Sequence, residues 1–87
     1  GEKTVGSIIV EPIEVRALRQ QRYELTDREM EVLELLRDGH TNQDIAEKLE
    51  LGEGTVRNYC SSIYKKLEVP NRTAAVSAAV DAGLLVT

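Results

Sequence analysis

Apolar residues recur at helical spacing between residues 53 and 67, and this segment has the clearest two-sided pattern in the chain. Its apolar stripe consists of Val56, Cys60, Ile63 and Leu67. The spacing i, i+4, i+7, i+11 places these side chains on one narrow side of an α-helix. Nearly the opposite side holds Arg57, Asn58, Ser61 and Lys65. The pattern predicts a helix with one face in a core and one face available to a polar partner.

Three more helices are predicted from the signals at their ends. Thr26 with Glu29 three positions later has the spacing of a capping box, and Thr41 and Asn71 are further N-cap residues. Glycine or proline follows three of the four helices, at Gly39, Pro70 and Gly83. We therefore expect helices near residues 27–38, 42–50, 53–67 and 72–82, and no strand in residues 25–87.

Residues 1–24 show a weaker pattern. Pro12 suits the first turn of a helix, where its missing N–H costs nothing. Residues 13–21 have helix-forming composition but only a short apolar stripe, so we expect a brief helix or a partly ordered connector. The predicted organisation is a linker or connector segment over residues 1–24, followed by one all-α domain over residues 25–87.

Composition narrows the class of protein. The chain has no Phe and no Trp, so the core is expected to be aliphatic with the three tyrosines at its margins. No apolar run approaches the roughly 18 residues of a membrane span, and no signal peptide is recognisable. A single Cys and a single His predict neither a disulfide framework nor a structural metal site. We expect a cytoplasmic domain with no metal and no cofactor.

Charge is distributed unevenly along the chain. The formal net charge is −4, which argues against indiscriminate binding of nucleic acid. Residues 23–52 contain three basic and nine acidic residues, a sum of −6, whereas residues 53–72 contain four basic and two acidic residues, a sum of +2. The predicted helix 53–67 and the residues that follow it therefore form a basic island next to an acidic segment.

The motifs LTDRE, GHTNQDIA, GTVRNY, KKLEV and NRTAAV follow one another in this order between residues 25 and 76. Two helices joined by a short turn containing Gly52 also match a helix-turn-helix pattern. Together, residues 25–85 resemble the LuxR-type DNA-binding domain, the effector domain of NarL/FixJ-like response regulators. The resemblance implies a four-helix helix-turn-helix domain, preceded here by a short linker segment like those that join a receiver domain to this module.

The resemblance also implies roles for individual residues. Helix 53–67 would enter the major groove of double-stranded DNA, where arginine recognises guanine and asparagine recognises adenine through paired hydrogen bonds. The expected base contacts are Arg57, Asn58 and Ser61. The expected phosphate contacts are Asn42, Gln43, Thr55, Tyr59, Ser62, Lys65, Lys66 and Arg72. Asn42 and Gln43 would contact a phosphate at the N-terminus of helix 42–50, because helix N-termini favour anions.

Helix 72–82 has more apolar surface than one amphipathic face requires. Part of it is expected to pack on helix 27–38, and the rest to meet a second copy of the helix, as in the family. The expected dimer contacts are Val76, Ala79 and Val80. A monomeric bundle is the alternative, since alanine is tolerated on surfaces.

Three classes of function are compatible with a domain of this kind. A sequence-specific transcription regulator accounts for the helix pair, the basic island and the motifs together, with RNA polymerase as a further expected partner. A helix-turn-helix module that binds proteins of the transcription machinery, without reading bases, also accounts for the acidic segment. An enzyme is disfavoured because His40 has no Ser or Cys partner in a shared motif, and no small-molecule substrate is expected.

Overall fold

The computed structural model describes residues 13–86, and within that range it contains five α-helices and no strand. The helices are α1 (Ile13–Arg22), α2 (Asp27–Arg37), α3 (Asn42–Leu49), α4 (Glu53–Leu67) and α5 (Arg72–Asp81). The last four correspond to the four predicted helices, so the all-α prediction is confirmed for residues 25–86. The brief helix that was one of two expectations for residues 13–21 is α1, while the rest of the predicted linker, residues 1–12, lies outside the described residues.

The helix starts are fixed by the predicted caps. The Thr26 and Thr41 side chains each accept a hydrogen bond from the backbone N–H three residues later. In turn, the carboxylates of Glu29 and Asp44 accept from the backbone N–H groups of Thr26 and Thr41. The Asn71 side chain accepts from the N–H of Ala74 in the same way. These bonds satisfy amides that would otherwise have no partner in the first turn, which is why α2, α3 and α5 begin where local sequence predicts.

The helix ends differ slightly from the prediction. Helices α2, α3 and α5 end one residue before the predicted positions, because Asp38, Glu50 and Ala82 are C-caps rather than helical residues. Glu50 and Glu68 adopt left-handed conformations with φ of 58° and 57°. A non-glycine residue is sterically disfavoured in this conformation. The sequence therefore did not predict it, because neither position holds a glycine or asparagine.

The core lies around α4, which packs against α2, α3 and α5. The predicted stripe of Val56, Cys60, Ile63 and Leu67 is entirely buried. Facing it are Val32, Leu33 and Leu36 from α2, Ile45 and Ala46 from α3, and Ala75 and Ala79 from α5, with Leu25, Leu84 and Leu85 from the connections. The three tyrosines are half-buried at the edge of this core, as composition predicted. None of the helices in residues 13–86 combines the length and apolar character needed to cross a bilayer.

Helix α1 is hydrogen-bonded both to the start of α2 and to the turn that follows α5. The Arg19 Nη1 donates to the carbonyl oxygen of Gly83 at 3.2 Å, and the Gln20 amide donates to Asp27 Oδ1 at 2.8 Å. Gly83 has a φ of +78°, and a Cβ built on it would lie 2.6 Å from Arg19 Nη1. Glycine is therefore favoured here by the left-handed turn, and a Cβ would in addition force the Arg19 guanidinium to shift.

Candidate nucleic-acid interface

The helix α4 has an outer face that is polar and accessible. Arg57, Asn58, Ser61 and Lys65 are all exposed, on the side opposite the buried stripe. The structure therefore brings the three predicted base-contacting residues together with Lys65 on one surface. Side chains of this kind can donate to base edges and to phosphates.

The turn between α3 and α4 fixes the relative position of the two helices. The Leu51 N–H donates to the carbonyl oxygen of Ala46 at 2.8 Å, and the left-handed Glu50 reverses the chain between them. Gly52 then caps α4 without a side-chain hydrogen bond. Two helices joined in this way, with the second exposing its polar face, have the arrangement of a helix-turn-helix.

The N-terminus of α3 contains the predicted phosphate contacts Asn42 and Gln43. Gln43 is exposed, whereas Asn42 is half-buried and its Oδ1 accepts from Arg72 Nη2 at 3.0 Å. Arg72 also donates through Nη1 to the carbonyl oxygen of His40. The Arg72 guanidinium thus joins the start of α5 to the start of α3. Any phosphate at this terminus would meet a pair of residues that already contact each other.

The remaining predicted phosphate contacts fall into two groups. Thr55 and Lys65 are exposed, and Tyr59 is half-buried against the core. Ser62 and Lys66 instead point toward α2, where the Ser62 hydroxyl donates to Glu29 Oε2 and Lys66 Nζ donates to Glu29 Oε1 at 2.7 Å. The structure therefore places Lys65 and Lys66, neighbours in sequence, in different surroundings.

Glu29 was predicted only as a capping residue, and its second role was missed. Its side chain is 4% exposed and accepts from Thr26 N, Ser62 and Lys66. Burial by itself raises the pKa of Glu29, but the hydrogen bonds and the Lys66 charge outweigh it, so the pKa is lowered from 4.5. One signal was present in the sequence, because Glu29 lies four residues before Leu33 and seven before Leu36 on the buried face of α2.

The predicted dimer contacts on α5 are not all accessible. Val76 and Val80 are half-buried and line an apolar groove together with Leu36 of α2. Ala79 is fully buried in the core of its own chain, so its inclusion in the dimer face was wrong. The excess apolar surface of α5 is divided between α2 and α4 on the inside and this groove on the outside.

Cys60 and Tyr64 are neighbours one turn apart on α4. Burial raises the pKa of the Cys60 thiol, although the neighbouring Tyr64 hydroxyl and Arg72 charge act in the other direction. Burial likewise raises the pKa of Tyr64. Both groups are therefore neutral at physiological pH. Cys60 behaves as a small core residue, as its position on the apolar stripe predicted.

A comparison with protein families identifies the domain. Residues 23–79 match the model described as bacterial regulatory proteins, luxR family. The chain belongs to this family. The match covers the helix-turn-helix and most of α5, and the protein is accordingly a DNA-binding domain of a transcription regulator.

Individual relatives agree with this assignment. The chain is 45% identical over 78 residues to the transcriptional regulatory protein DesR of Bacillus subtilis, covering 90% of this chain and 39% of DesR. It is 48% identical over 59 residues to the response regulator protein VraR of Staphylococcus aureus, covering 67% of this chain and 28% of VraR. The crystal structure of the response regulator ChrA of a heme-sensing two-component system superposes with a TM-score of 0.69 at 39% identity, over 85% of this chain and 39% of ChrA. The chain spans less than half the length of these relatives.

Proposed function

We propose that residues 25–87 bind double-stranded DNA sequence-specifically as the effector domain of a cytoplasmic bacterial response regulator, with residues 1–24 as its linker. The observation that supports this most directly is the division of α4, whose apolar stripe is buried while Arg57, Asn58 and Ser61 are exposed together. An α-helix that is anchored along one side can enter the major groove with the other.

The proposed contacts follow from exposure and position. Arg57, Asn58 and Ser61 meet base edges, and Arg57 is a cation of the first turns of α4, which approach the bases in a helix-turn-helix. Gln43, Thr55 and Lys65 meet phosphates from exposed positions, and Tyr59 does so from the edge of the core. Asn42 and Arg72 meet a phosphate as a pair at the α3 N-terminus. Ser62 and Lys66 are left with Glu29 in the free protein.

Assembly on DNA is proposed to use the apolar groove of α5. Val76 and Val80 of two chains would pack together and place two copies of α4 in successive major grooves, with half-sites about one helical turn apart.

RNA polymerase is a further proposed partner at the promoter. The acidic segment over residues 23–52 keeps the alternative of a protein-interaction module open, and salt-dependent binding to promoter DNA distinguishes the two.

Substitution of Arg57 tests the assignment of the base-contacting face. The guanidinium can make two hydrogen bonds to one guanine, so Arg57→Ala is expected to lose about 1–3 kcal/mol of binding and to relax preference at one base pair. Lys65→Ala is the matched control, because loss of a phosphate contact weakens binding to all sequences and lowers the salt dependence by about one counterion. The measurement is a titration of both variants against duplexes selected from random DNA and against scrambled duplexes at several salt concentrations.

The result that would contradict this assignment is a uniform loss. If Arg57→Ala weakens every duplex equally and leaves base preference unchanged, Arg57 contacts only phosphate. If the unchanged protein binds no duplex in a salt-dependent manner, the proposed function itself is wrong.

A further inference from the structure

Glu29 and Lys66 form an ion pair between α2 and α4 that the DNA-binding role of the domain does not explain. The distance from Lys66 Nζ to Glu29 Oε1 is 2.7 Å, and Nζ also donates to the carbonyl oxygen of Glu24 at 2.7 Å. The Glu29 carboxylate is 4% exposed, while the Lys66 side chain is 27% exposed. The lysine is thus accessible at its edge but has two acceptors inside its own chain.

The neighbouring lysine has a different environment. Lys65 is exposed on the outer face of α4 with Arg57 and Ser61, and the structure gives its ammonium no hydrogen-bond or ion-pair partner within residues 15–86. Both lysines lie in the last turn of α4. Of the two ammonium groups, only that of Lys65 can bind a phosphate without breaking a hydrogen bond within the chain.

Removal of Lys66 from its pair would be costly. Glu29 is buried and accepts three hydrogen bonds, so departure of the ammonium would leave a buried carboxylate without its counter-charge. A phosphate at the protein surface offers Lys66 an attraction that salt and water screen. On these grounds the buried partner is expected to hold the lysine more strongly than a surface phosphate does.

We propose that Glu29 withholds Lys66 from DNA phosphates and thereby sets the strength of the sequence-independent part of DNA binding. Glu29 is in this sense a positioning residue, since it touches no DNA and acts through the cation that it holds. The inference rests on the proposed DNA-binding function. The two adjacent lysines of α4 then contribute unequally to DNA binding. Lys65 supplies a phosphate contact, and Lys66 supplies none while Glu29 is charged.

The test is the salt dependence of binding to a short duplex of mixed sequence. Each phosphate contact contributes about 0.9 to the slope of log affinity against log salt, or about a 3.5-fold change in affinity between about 50 and 200 mM salt. Lys65→Met is expected to lower the slope by that amount, and Lys66→Met to leave it unchanged. Glu29→Gln is expected to raise it by about one contact, because the amide keeps the capping bond but no longer holds the ammonium by charge.

Two further variants separate this effect from net charge and from folding. Glu34→Gln makes the same change of charge at an exposed position of α2 and is expected to leave the slope unchanged. The double variant Glu29→Gln with Lys66→Met removes both charges, so it leaves no unpaired carboxylate even if Lys66→Met alone unfolds. It is expected to lose the gain in slope shown by Glu29→Gln, with folding checked by circular dichroism.

Three results would overturn the proposal. They are a slope in Lys66→Met as low as that in Lys65→Met, a slope in Glu29→Gln no higher than that in Glu34→Gln, and a double variant that keeps the increased slope. Each leaves the proposed function intact as long as the unchanged protein binds the duplex in a salt-dependent manner. Loss of that dependence in the unchanged protein and in Lys65→Met would instead count against the function.

Discussion

At the scale of single residues, Glu29 and Asn42 show how one side chain can serve two elements. The Glu29 carboxylate caps α2 and also binds Ser62 and Lys66 of α4. Asn42 is the first residue of α3, and its side-chain Oδ1 accepts from Arg72 Nη2 of α5. In both cases a polar side chain in the first turn of one helix is hydrogen-bonded to a side chain of a second helix. The proposed DNA-binding face is therefore positioned by polar as well as apolar contacts.

The lowered pKa of Glu29 predicts a loss of stability in acid. Because the folded-state pKa lies below the ordinary glutamate value of 4.5, the charged carboxylate contributes stability above that pH, and the contribution is lost as pH falls through the folded pKa. Glu29→Gln is expected to be about 1–3 kcal/mol less stable at neutral pH, since it removes hydrogen bonds to a charged group, and to vary less with acid. Urea unfolding at a series of pH values measures this, with Glu34→Gln as control. Parallel pH dependences in wild type and Glu29→Gln would contradict it.

At the scale of elements, α4 joins the core to the proposed DNA surface. Its buried stripe contacts α2, α3 and α5, so any rotation of the helix that moved Arg57 would also displace Val56 and Cys60 from the core. Close packing makes such displacement unfavourable. The helix is well anchored along its length, but its first turn lacks the side-chain cap that α2, α3 and α5 possess.

The uncapped start of α4 predicts opposite effects of two substitutions at Gly52. Gly52 has an extended conformation with φ of −77° and ψ of 153°, and a Cβ there meets only Thr55 Oγ1 at 4.0 Å. Gly52→Ser is therefore expected to stabilise the domain by a few tenths of a kcal/mol, because its hydroxyl can accept from a first-turn amide. Gly52→Ala, which fits equally well but cannot cap, is expected to destabilise it. Thermal unfolding of the unchanged protein and of the two variants measures these differences in stability. Equal stabilities of the Ser and Ala variants would refute the capping argument.

At the scale of the whole molecule, the exposed cations of α4 and the apolar groove of α5 lie in different places. Of the four basic residues in 53–72, Lys66 is paired with Glu29 and Arg72 binds Asn42 and His40, so Arg57 and Lys65 are the exposed cations of that segment. The apolar groove between α2 and α5 is separate from them. If the proposed function holds, so small a positive surface on an acidic domain would limit indiscriminate DNA binding, and affinity would depend on the proposed base contacts and assembly.

The groove predicts that assembly and DNA binding are linked. Val76→Asp places a charge among Leu36 and Val80, so it is expected to weaken binding to a two-half-site duplex more than binding to a single half-site. Ala78→Asp adds the same charge to α5 but outside the groove, and is expected to affect both duplexes equally. Gel-shift titrations on the two duplexes measure the difference once cooperative unfolding has shown that both variants are folded. Equal losses for Val76→Asp on both duplexes would exclude a dimer through this face.

The sequence by itself determined the four helices of residues 25–86 and the buried stripe of α4. Those features depend on bonds within a few residues, such as the Thr26–Glu29 and Thr41–Asp44 boxes, and on the helical period of Val56, Cys60, Ile63 and Leu67. The motifs also identified the family before any contact between helices was known. The exposure of Arg57, Asn58 and Ser61 followed because the opposite side of the same helix had to be buried.

Only the tertiary structure decided which polar side chains remain available. Lys65 and Lys66 are adjacent and chemically identical, but Lys66 meets Glu29 from a position 37 residues away in the chain. Arg72 meets Asn42 across 30 residues, and Ala79 turned inward because α5 packs on α2 and α4. Helical period gives the direction of a side chain around its own axis, but its partner depends on how two helices are packed against each other, and no local pattern records that packing.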